Sequence, residues 1–172
     1  EFKVGGSASL TTLGLADVRG VKVKYLFNIF DYWGAVVTSR DSVKTLKDLE
    51  GKELAAARST TNYQMSEFFE KRQGVDVGKI KIVNTAPPGL ISYAIADRAD
   101  AVQIWEPAYT LMLTKKPSIR TLDLGIDKTW KAFAGGGSIP YLCVGAHADW
   151  ADANPAAVQK LMLYAWPGNV RE

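Results

Sequence analysis

The chain has 172 residues, a length that is enough for one domain or two small ones. Its net charge is +3. Hydrophobic residues make up 47% and charged residues 23%, a mix typical of globular proteins. Basic and acidic residues are interleaved, which argues against a nucleic-acid surface. The single cysteine, Cys143, excludes an internal disulfide, and the single histidine argues against a histidine-based metal site or catalytic triad.

The first 30 residues predict a strand end, a Gly/Ser-rich loop at 5–9, a short helix and a strand at 21–27. No apolar run approaches about 18 residues, so no membrane span is expected. No basic leader with an apolar core opens the chain, so we expect no signal peptide within it.

The middle of the chain alternates strands and helices in units of about 20–25 residues. Strands are predicted at 53–57, 79–83, 101–105 and 119–124. Helices are predicted to begin near Thr61, Pro87 and Glu106. Such alternation predicts a mostly parallel sheet flanked by helices, hence an α/β fold.

The first of these helices is predicted to end at Arg72. The sequence makes two further predictions about it. Thr61 and Gln64 have the spacing of a capping box, so Thr61 is expected to cap the helix. An apolar face is expected from the i, i+3, i+4, i+7 set Met65, Phe68, Phe69 and Arg72.

The carboxyl-terminal part predicts a glycine-rich break at 134–140, a strand at 141–145 and a last helix after Asn154-Pro155. The segment 166–172, Trp-Pro-Gly-Asn-Val-Arg-Glu, resembles a short motif of bacterial enhancer-binding AAA+ ATPases. Since no Gly-x-x-x-x-Gly-Lys-Ser/Thr loop is present, we interpret it as a helix stop followed by a turn.

Three stretches in register resemble one family. They are Val-Thr-Ser-Arg-Asp-Ser at 37–42 leading to Asp-Leu-Glu-Gly-Lys at 48–52, Ser-Thr-Thr-Asn-Tyr at 59–63, and Ala-Asp-Ala-Val-Gln-Ile-Trp-Glu-Pro at 99–107. The chain resembles, over about residues 3–165, substrate-binding proteins of ABC importers in the nitrate/taurine/alkanesulfonate (NMT1/THI5-like) group, which also holds thiamine-precursor binders.

The resemblance implies a type-II periplasmic-binding-protein fold of two α/β lobes joined by two crossovers. Residues 1–40 would be part of the first lobe, 41–137 a nearly complete second lobe, and 138–172 the return crossover and a helix of the first lobe. The first lobe would then lack its opening strand and helix and its carboxyl-terminal part. We therefore expect a fragment whose exposed edge favours self-association.

The function implied is capture of a small, anionic ligand, such as a sulfonate, nitrate or similar organic acid, and its delivery to an ABC permease and ATPase complex. The setting implied is periplasmic or extracytoplasmic, with a signal peptide or lipid anchor on the full-length protein. Two alternatives stay open: a thiamine-pyrimidine precursor binding or synthesis protein of the same fold, and a ligand-sensing domain of a signalling protein.

Candidate ligand-binding residues follow the predicted strands of the second lobe. Hydroxyls and helix-start N–H groups at 59–62 suit a small anion, although ordinary capping would also explain them. Trp105 could stack on a ligand, and Glu106 could bind an amine or hydroxyl or simply favour the helix start. The residues of the 59–62 turn are Ser59, Thr60, Thr61 and Asn62.

Further candidates lie in the first lobe and near the first crossover. Gly6, Ser7 and Ala8 belong to the Gly/Ser-rich loop, where the backbone could approach a ligand. Tyr32 and Trp33 are the aromatic residues nearest the presumed hinge, and such residues also occur in cores. No catalytic set, metal site or cofactor is predicted, and Cys143 is expected to be a buried, inert thiol.

Overall fold

A computed structural model of the chain describes residues 3–165, apart from the side chains of residues 6–8 and 165. The predicted turn at 166–172 lies outside the described residues. Two compact units result, which we name the central unit, Trp33–Gly137, and the discontinuous unit, made of the described residues up to Tyr32 and from Ser138 onward. Residues 33–40 thus fall in the central unit.

The described strands are β1 Val4–Ser9, β2 Val23–Asp31, β3 Ala35–Thr38, β4 Glu53–Ala56, β5 Lys81–Asn84, β6 Ala101–Ile104, β7 Arg120–Leu122 and β8 Pro140–His147. The α-helices are α1 Leu10–Val18, α2 Thr61–Arg72, α3 Pro87–Ile95, α4 Ala108–Lys115, α5 Ile126–Ala134, α6 Ala148–Ala153 and α7 Pro155–Ala165. Short 3₁₀ helices cover Leu46–Leu49 and Val77–Lys79. No described helix is long and apolar enough to cross a membrane.

The central unit contains a five-stranded sheet with strand order β5-β4-β6-β3-β7. Strand β4 pairs in parallel with both β5 and β6. Strand β3 lies antiparallel between β6 and β7, so β7 runs in the same direction as β6. The predicted α/β fold with a mostly parallel sheet is confirmed, and β3 is the one strand that runs in the opposite direction.

The core of the central unit explains why strands β3 and β6 are mostly apolar. Every residue of β3 and β6 is buried, as expected for strands covered on both faces. The core cluster joins Val37, Ala55 and Ile104 of the sheet to Leu90 of α3 and Met112 of α4. Burying each large side chain of this kind contributes roughly 1.5–3 kcal/mol.

Helix α2 has a different buried face from the predicted one. Its buried residues are Asn62, Tyr63, Ser66, Phe69 and Glu70. Arg72 is exposed, with its guanidinium carbon 4.8 Å from the centre of the Phe133 ring. The prediction of an apolar face made of Met65, Phe68, Phe69 and Arg72 was therefore wrong. Helix α2 can bury polar side chains because they find polar partners within the fold.

Helix α5 was missed by the sequence analysis. It lies between two glycines in the left-handed conformation, Gly125 with φ of 56° and Gly135 with φ of 84°. Such a start provides no side-chain cap, so the usual amino-terminal signal is absent. Ile126, Trp130 and Phe133 do have helical spacing and would have indicated the element.

The discontinuous unit contains an antiparallel sheet with strand order β1-β8-β2. Residues 5–9 lie within β1, so the predicted loop there was wrong. Their pairing partner is β8, more than 130 residues away, which no local pattern reveals. Cys143 of β8 is buried, as predicted, and burial raises the pKa of its thiol. Phe30 is 60% exposed on the outer strand β2, and the expected self-association stays a prediction.

Candidate ligand-binding edge of the central sheet

Strands β4, β5 and β6 end on the same side of the central sheet, which we name the carboxyl edge. Leu54 lies opposite Ala101 and Ala55 opposite Val102. Strand β4 ends at Ala56 and strand β6 at Ile104, so Arg58 and Trp105 both follow the carboxyl ends of neighbouring strands. Several candidate residues that are distant in sequence therefore meet at this edge.

The 59–62 turn connects β4 to α2 at the carboxyl edge. The Thr60 hydroxyl donates to the Ala57 carbonyl oxygen at 2.8 Å and accepts from the Tyr63 N–H at 3.2 Å. Thr60 is therefore the residue that caps α2, and the prediction that Thr61 does so was wrong by one position. Thr61 and Asn62 occupy the first turn, where backbone N–H groups lack acceptors within the helix.

The Asn62 side chain is fully buried. Its Oδ1 accepts from Gln103 Nε2 at 2.7 Å, which ties the start of α2 to strand β6. Among the described residues, neither Asn62 Nδ2 nor Gln103 Oε1 has a hydrogen-bond partner. A buried polar atom without a partner costs roughly 1–3 kcal/mol, so this pair holds the turn in place at some cost in stability.

Arg58 is a residue that the sequence analysis missed. Its backbone N–H donates to Asn84 Oδ1 at 3.1 Å, so the chain leaving β4 is fixed to the end of β5. Its side chain is exposed, and no ion pair to it is found among the described residues. Burial raises the pKa of the neighbouring Tyr63, and the nearby Arg58 charge opposes that shift. A basic residue that follows a strand expected to be buried is the sequence signal that could have identified Arg58.

Trp105 and Glu106 follow β6 at the same edge. Trp105 is half-buried and packs against the core cluster. The exposed Glu106 carboxylate accepts from the Thr110 hydroxyl at 2.8 Å and from the Thr110 N–H at 3.2 Å. Glu106 thus stabilises the start of α4, in agreement with the alternative that it favours the helix start.

Trp33 lies two residues before β3, whose first residue Ala35 is opposite Ile104 at the end of β6. It is 42% exposed, and its ring centre lies 4.8 Å from that of Tyr109. A half-exposed aromatic pair therefore stands beside the end of β6.

The other candidates belong to the discontinuous unit. Tyr32 is buried there and packs edge-to-face on Tyr141 at 5.7 Å, so it is part of the core of that unit. Gly6, Ser7 and Ala8 lie in β1. Of the predicted set, the central unit brings together the 59–62 turn, Trp33, Trp105 and Glu106. Within the described part of the chain, no three His, Cys, Asp or Glu side chains are grouped closely enough to hold a metal ion.

The described fold is similar to several solved structures. The aliphatic sulphonate binding protein SsuA of Escherichia coli, a periplasmic protein, matches 95% of this chain and 54% of its own, with 19% identity and a TM-score of 0.75. The alkanesulfonate-binding SsuA of Xanthomonas axonopodis pv. citri, solved with MOPS, matches 94% of this chain and 53% of its own, with 21% identity and a TM-score of 0.69.

An arginine-specific periplasmic binding protein of Salmonella typhimurium matches 98% of this chain and 69% of its own, with 16% identity and a TM-score of 0.59. The fold is therefore that of the type-II periplasmic binding proteins. The chain spans about half the length of the sulfonate-binding structures it matches. No curated protein sequence matches it.

The family model described as NMT1/THI5 like matches residues 2–164. The chain belongs to the NMT1/THI5-like family.

Proposed function

We propose that this chain is part of a solute-binding protein of an ABC importer, and that the carboxyl edge of its central unit binds a small anion. The ligand class proposed is a sulfonate, nitrate or similar organic acid. A surface of the other lobe would close over the ligand by a hinge motion. The closed form would deliver the ligand to a membrane permease and its ATPase. The proposed setting is extracytoplasmic.

The observation that supports an anion site is the amino terminus of α2 at the carboxyl edge. Helix α2 has 12 residues, so its first N–H groups carry the positive end of a full helix dipole. The 59–62 turn adds hydroxyls, and Arg58 adds an exposed positive charge next to it. Backbone N–H groups with a neighbouring cation are a common way to hold sulfonate, carboxylate or phosphate oxygens.

Binding rather than catalysis is the activity proposed for this edge. The Glu106 carboxylate is engaged by Thr110, and the fully buried Asn62 is engaged by Gln103. These groups are thus arranged to fix the backbone of the site. The similar structures described above are those of binding proteins, which favours the same activity.

A substitution at Thr61 tests the anion site without removing the helix. Thr61 is the first residue of α2, a position where proline is well tolerated, and Thr60 has the extended conformation that precedes proline, with φ of −93° and ψ of 147°. Thr61→Pro therefore removes one backbone N–H while α2 persists. Thr61→Ala is the matched control, because it removes the hydroxyl and keeps the N–H.

Calorimetric titration of the chain with methanesulfonate, nitrate and sulfate gives the readout. A charge-assisted hydrogen bond contributes roughly 1.5–3 kcal/mol, so Thr61→Pro should weaken binding by about tenfold or more. Thr61→Ala should weaken it much less. Wild-type affinity in Thr61→Pro, with the melting temperature unchanged, would contradict an anion site at this turn.

A further inference from the structure

Three helices of the central unit begin at the carboxyl edge, because each follows a strand that ends there. Helix α2 follows β4, α3 follows β5 and α4 follows β6. A helix start attracts negative charge through N–H groups that lack acceptors within the helix. The starts of α3 and α4 differ from that of α2 in what they offer to an anion.

The start of α3 offers few backbone donors. Its first two residues are Pro87 and Pro88, which have no N–H group. The Gly89 N–H donates to the Ala86 carbonyl oxygen at 2.9 Å. A second anionic group of a ligand therefore finds no available N–H among the first three residues of α3.

The start of α4 is occupied by a carboxylate of the chain itself. Glu106 is exposed and lies two residues after the end of β6. Its carboxylate oxygens accept from the Thr110 hydroxyl at 2.8 Å and from the Thr110 N–H at 3.2 Å. The Tyr109 N–H donates to the Trp105 carbonyl oxygen at 3.0 Å. The negative charge that this helix start attracts is thus supplied by Glu106 rather than by a ligand.

The carboxyl edge also carries one cation and a second carboxylate. Arg58 follows β4, and Asp123 follows β7, which runs in the same direction as β6. Both side chains are exposed. Asp123 Oδ1 accepts from the Gly125 N–H at 2.7 Å, so this carboxylate, like that of Glu106, is held in place by hydrogen bonds within the unit.

Glu106 and Asp123 differ in how far they lie from the 59–62 turn. Solvent-exposed charges act on one another over about 8 Å at physiological ionic strength. Strand β6 is the immediate neighbour of β4, whereas β7 is the third strand from β4 in the order β4-β6-β3-β7. Three strand spacings amount to about 14 Å. Glu106 is therefore the carboxylate that influences an anion bound at the turn.

We propose that Glu106 makes the anion site at the 59–62 turn selective for singly charged over doubly charged anions. This inference rests on the proposed function and adds to it a residue that selects the ligand by charge, whatever its carbon part. The repulsion by Glu106 is proportional to the charge of the ligand, so it is twice as large for a doubly charged anion. Sulfate, disulfonates and dicarboxylates are the anions that this arrangement disfavours.

Methanesulfonate and sulfate are suitable probes, because both are tetrahedral at sulfur and similar in size but carry one and two negative charges. The test is calorimetric titration of each into the wild-type chain and into Glu106→Gln at constant ionic strength. Glu106→Gln removes the charge and keeps an oxygen that accepts from Thr110. The affinity for sulfate should rise by the square of the factor found for methanesulfonate, so a gain of about threefold for methanesulfonate corresponds to about ninefold for sulfate. Nitrate, with one charge, should gain the same factor as methanesulfonate.

Two control variants separate the charge of Glu106 from its other effects. Asp123→Asn removes a carboxylate from the same edge at a greater distance from the turn. Thr110→Val removes a hydrogen bond of Glu106 and keeps its charge. Both variants should keep the wild-type ratio of the affinities for sulfate and methanesulfonate.

Equal gains for the two probes in Glu106→Gln, or no gain for either, would overturn the role of Glu106 and leave the proposed anion site standing. A shift of the ratio in Asp123→Asn or Thr110→Val as large as that in Glu106→Gln would overturn it as well. If methanesulfonate, nitrate and sulfate all fail to bind to the wild-type chain, the anion site itself is absent and both proposals fail.

Discussion

The two edges of the central sheet use their polar residues in different ways. At the amino edge, where β4 and β6 begin, charges meet partners: Lys116 binds the Asp97 carboxylate at 2.6 Å and the Ile95 carbonyl oxygen at 3.2 Å. The Lys116 hydrogen bond holds the pKa of Asp97 below its ordinary value. At the carboxyl edge, Arg58 is exposed, and its side chain has no ion pair within the described part of the chain.

This difference distinguishes an edge whose charges stabilise the fold from the edge that we propose binds the ligand. At the amino edge, Lys116 binds the end of α3 and the loop that follows it, so the charges there contribute to folding. The carboxyl edge presents helix-start N–H groups and a cation. In open α/β sheets, ligands bind outside the carboxyl ends of the strands, which agrees with this assignment.

The largest expected effect on stability is at Asp100 of the amino edge. Its Oδ2 accepts from the Glu53 N–H at 2.9 Å, and its Oδ1 lies 3.9 Å from Arg40 Nε. Asp100→Ala should lower the free energy of unfolding by roughly 1.5–3 kcal/mol, the range for hydrogen bonds to charged groups, when measured by urea denaturation. The control Asp41→Ala alters a fully exposed carboxylate and should stay within about 0.5 kcal/mol. Equal effects at both positions would contradict the structural role of this edge.

Glu70, a buried residue of α2, gives a pH-dependent prediction. Its side chain accepts from Ser66 Oγ at 3.0 Å, and burial raises the pKa of its carboxyl above the ordinary 4.5. The folded state therefore favours the protonated form, and this stabilisation is complete below pH 4.5 and is lost as pH rises through the folded pKa. Glu70→Gln should raise stability at neutral pH, because the neutral amide avoids the cost of burying the carboxylate charge.

The Glu70→Gln advantage should shrink toward zero as the pH falls to 4.5. Urea unfolding at several pH values measures it. Glu67→Gln, on the same helix but paired with Lys71 at 3.3 Å on its outer side, serves as the control. An advantage that is independent of pH would show that Glu70 does not bind a proton on folding.

The cap of α2, at the carboxyl edge, gives a smaller effect. Thr60→Ala removes the oxygen that accepts from the Tyr63 N–H and should lower the melting temperature, at a cost of about 1 kcal/mol. Thr61→Ala should cost clearly less, because Thr61 is not the cap. A larger loss at Thr61 than at Thr60 would place the helix start one residue later than the structure does.

Glu106→Gln should have the smallest effect on stability, within about 0.5 kcal/mol, because an amide oxygen can still accept from Thr110. Removing its negative charge should modestly strengthen binding of methanesulfonate, because the Glu106 carboxylate and the anion repel each other. Weaker binding in calorimetry would instead indicate that Glu106 contacts the ligand.

Local sequence patterns predict the parts of this chain that depend on neighbouring residues. The strand and helix alternation of the central unit and the start of α3 at Pro87 follow from such patterns and are confirmed. Family resemblance supplied the type-II binding-protein fold. Strand β1 was mistaken for a loop, because its stabilising partner β8 lies far along the chain.

The candidate site likewise combines features that depend on neighbouring residues with features that depend on residues far apart in the sequence. The 59–62 turn and Trp105 are visible as residues that follow buried strands. Their position at one edge of the sheet depends on the strand order β5-β4-β6, which no spacing in the sequence specifies. The buried Asn62–Gln103 pair is likewise a contact across 41 positions.

The most direct test of the anion site proposed at the carboxyl edge is a titration of methanesulfonate into Arg58→Gln and Arg98→Gln. Both arginines are exposed in the central unit, but Arg98 lies at the amino edge, where its guanidinium carbon is 4.9 Å from the centre of the Tyr93 ring. Loss of a charge-assisted contact predicts at least about tenfold weaker binding in Arg58→Gln and unchanged binding in Arg98→Gln. Equal affinities in the two variants would contradict an anion site at the carboxyl edge.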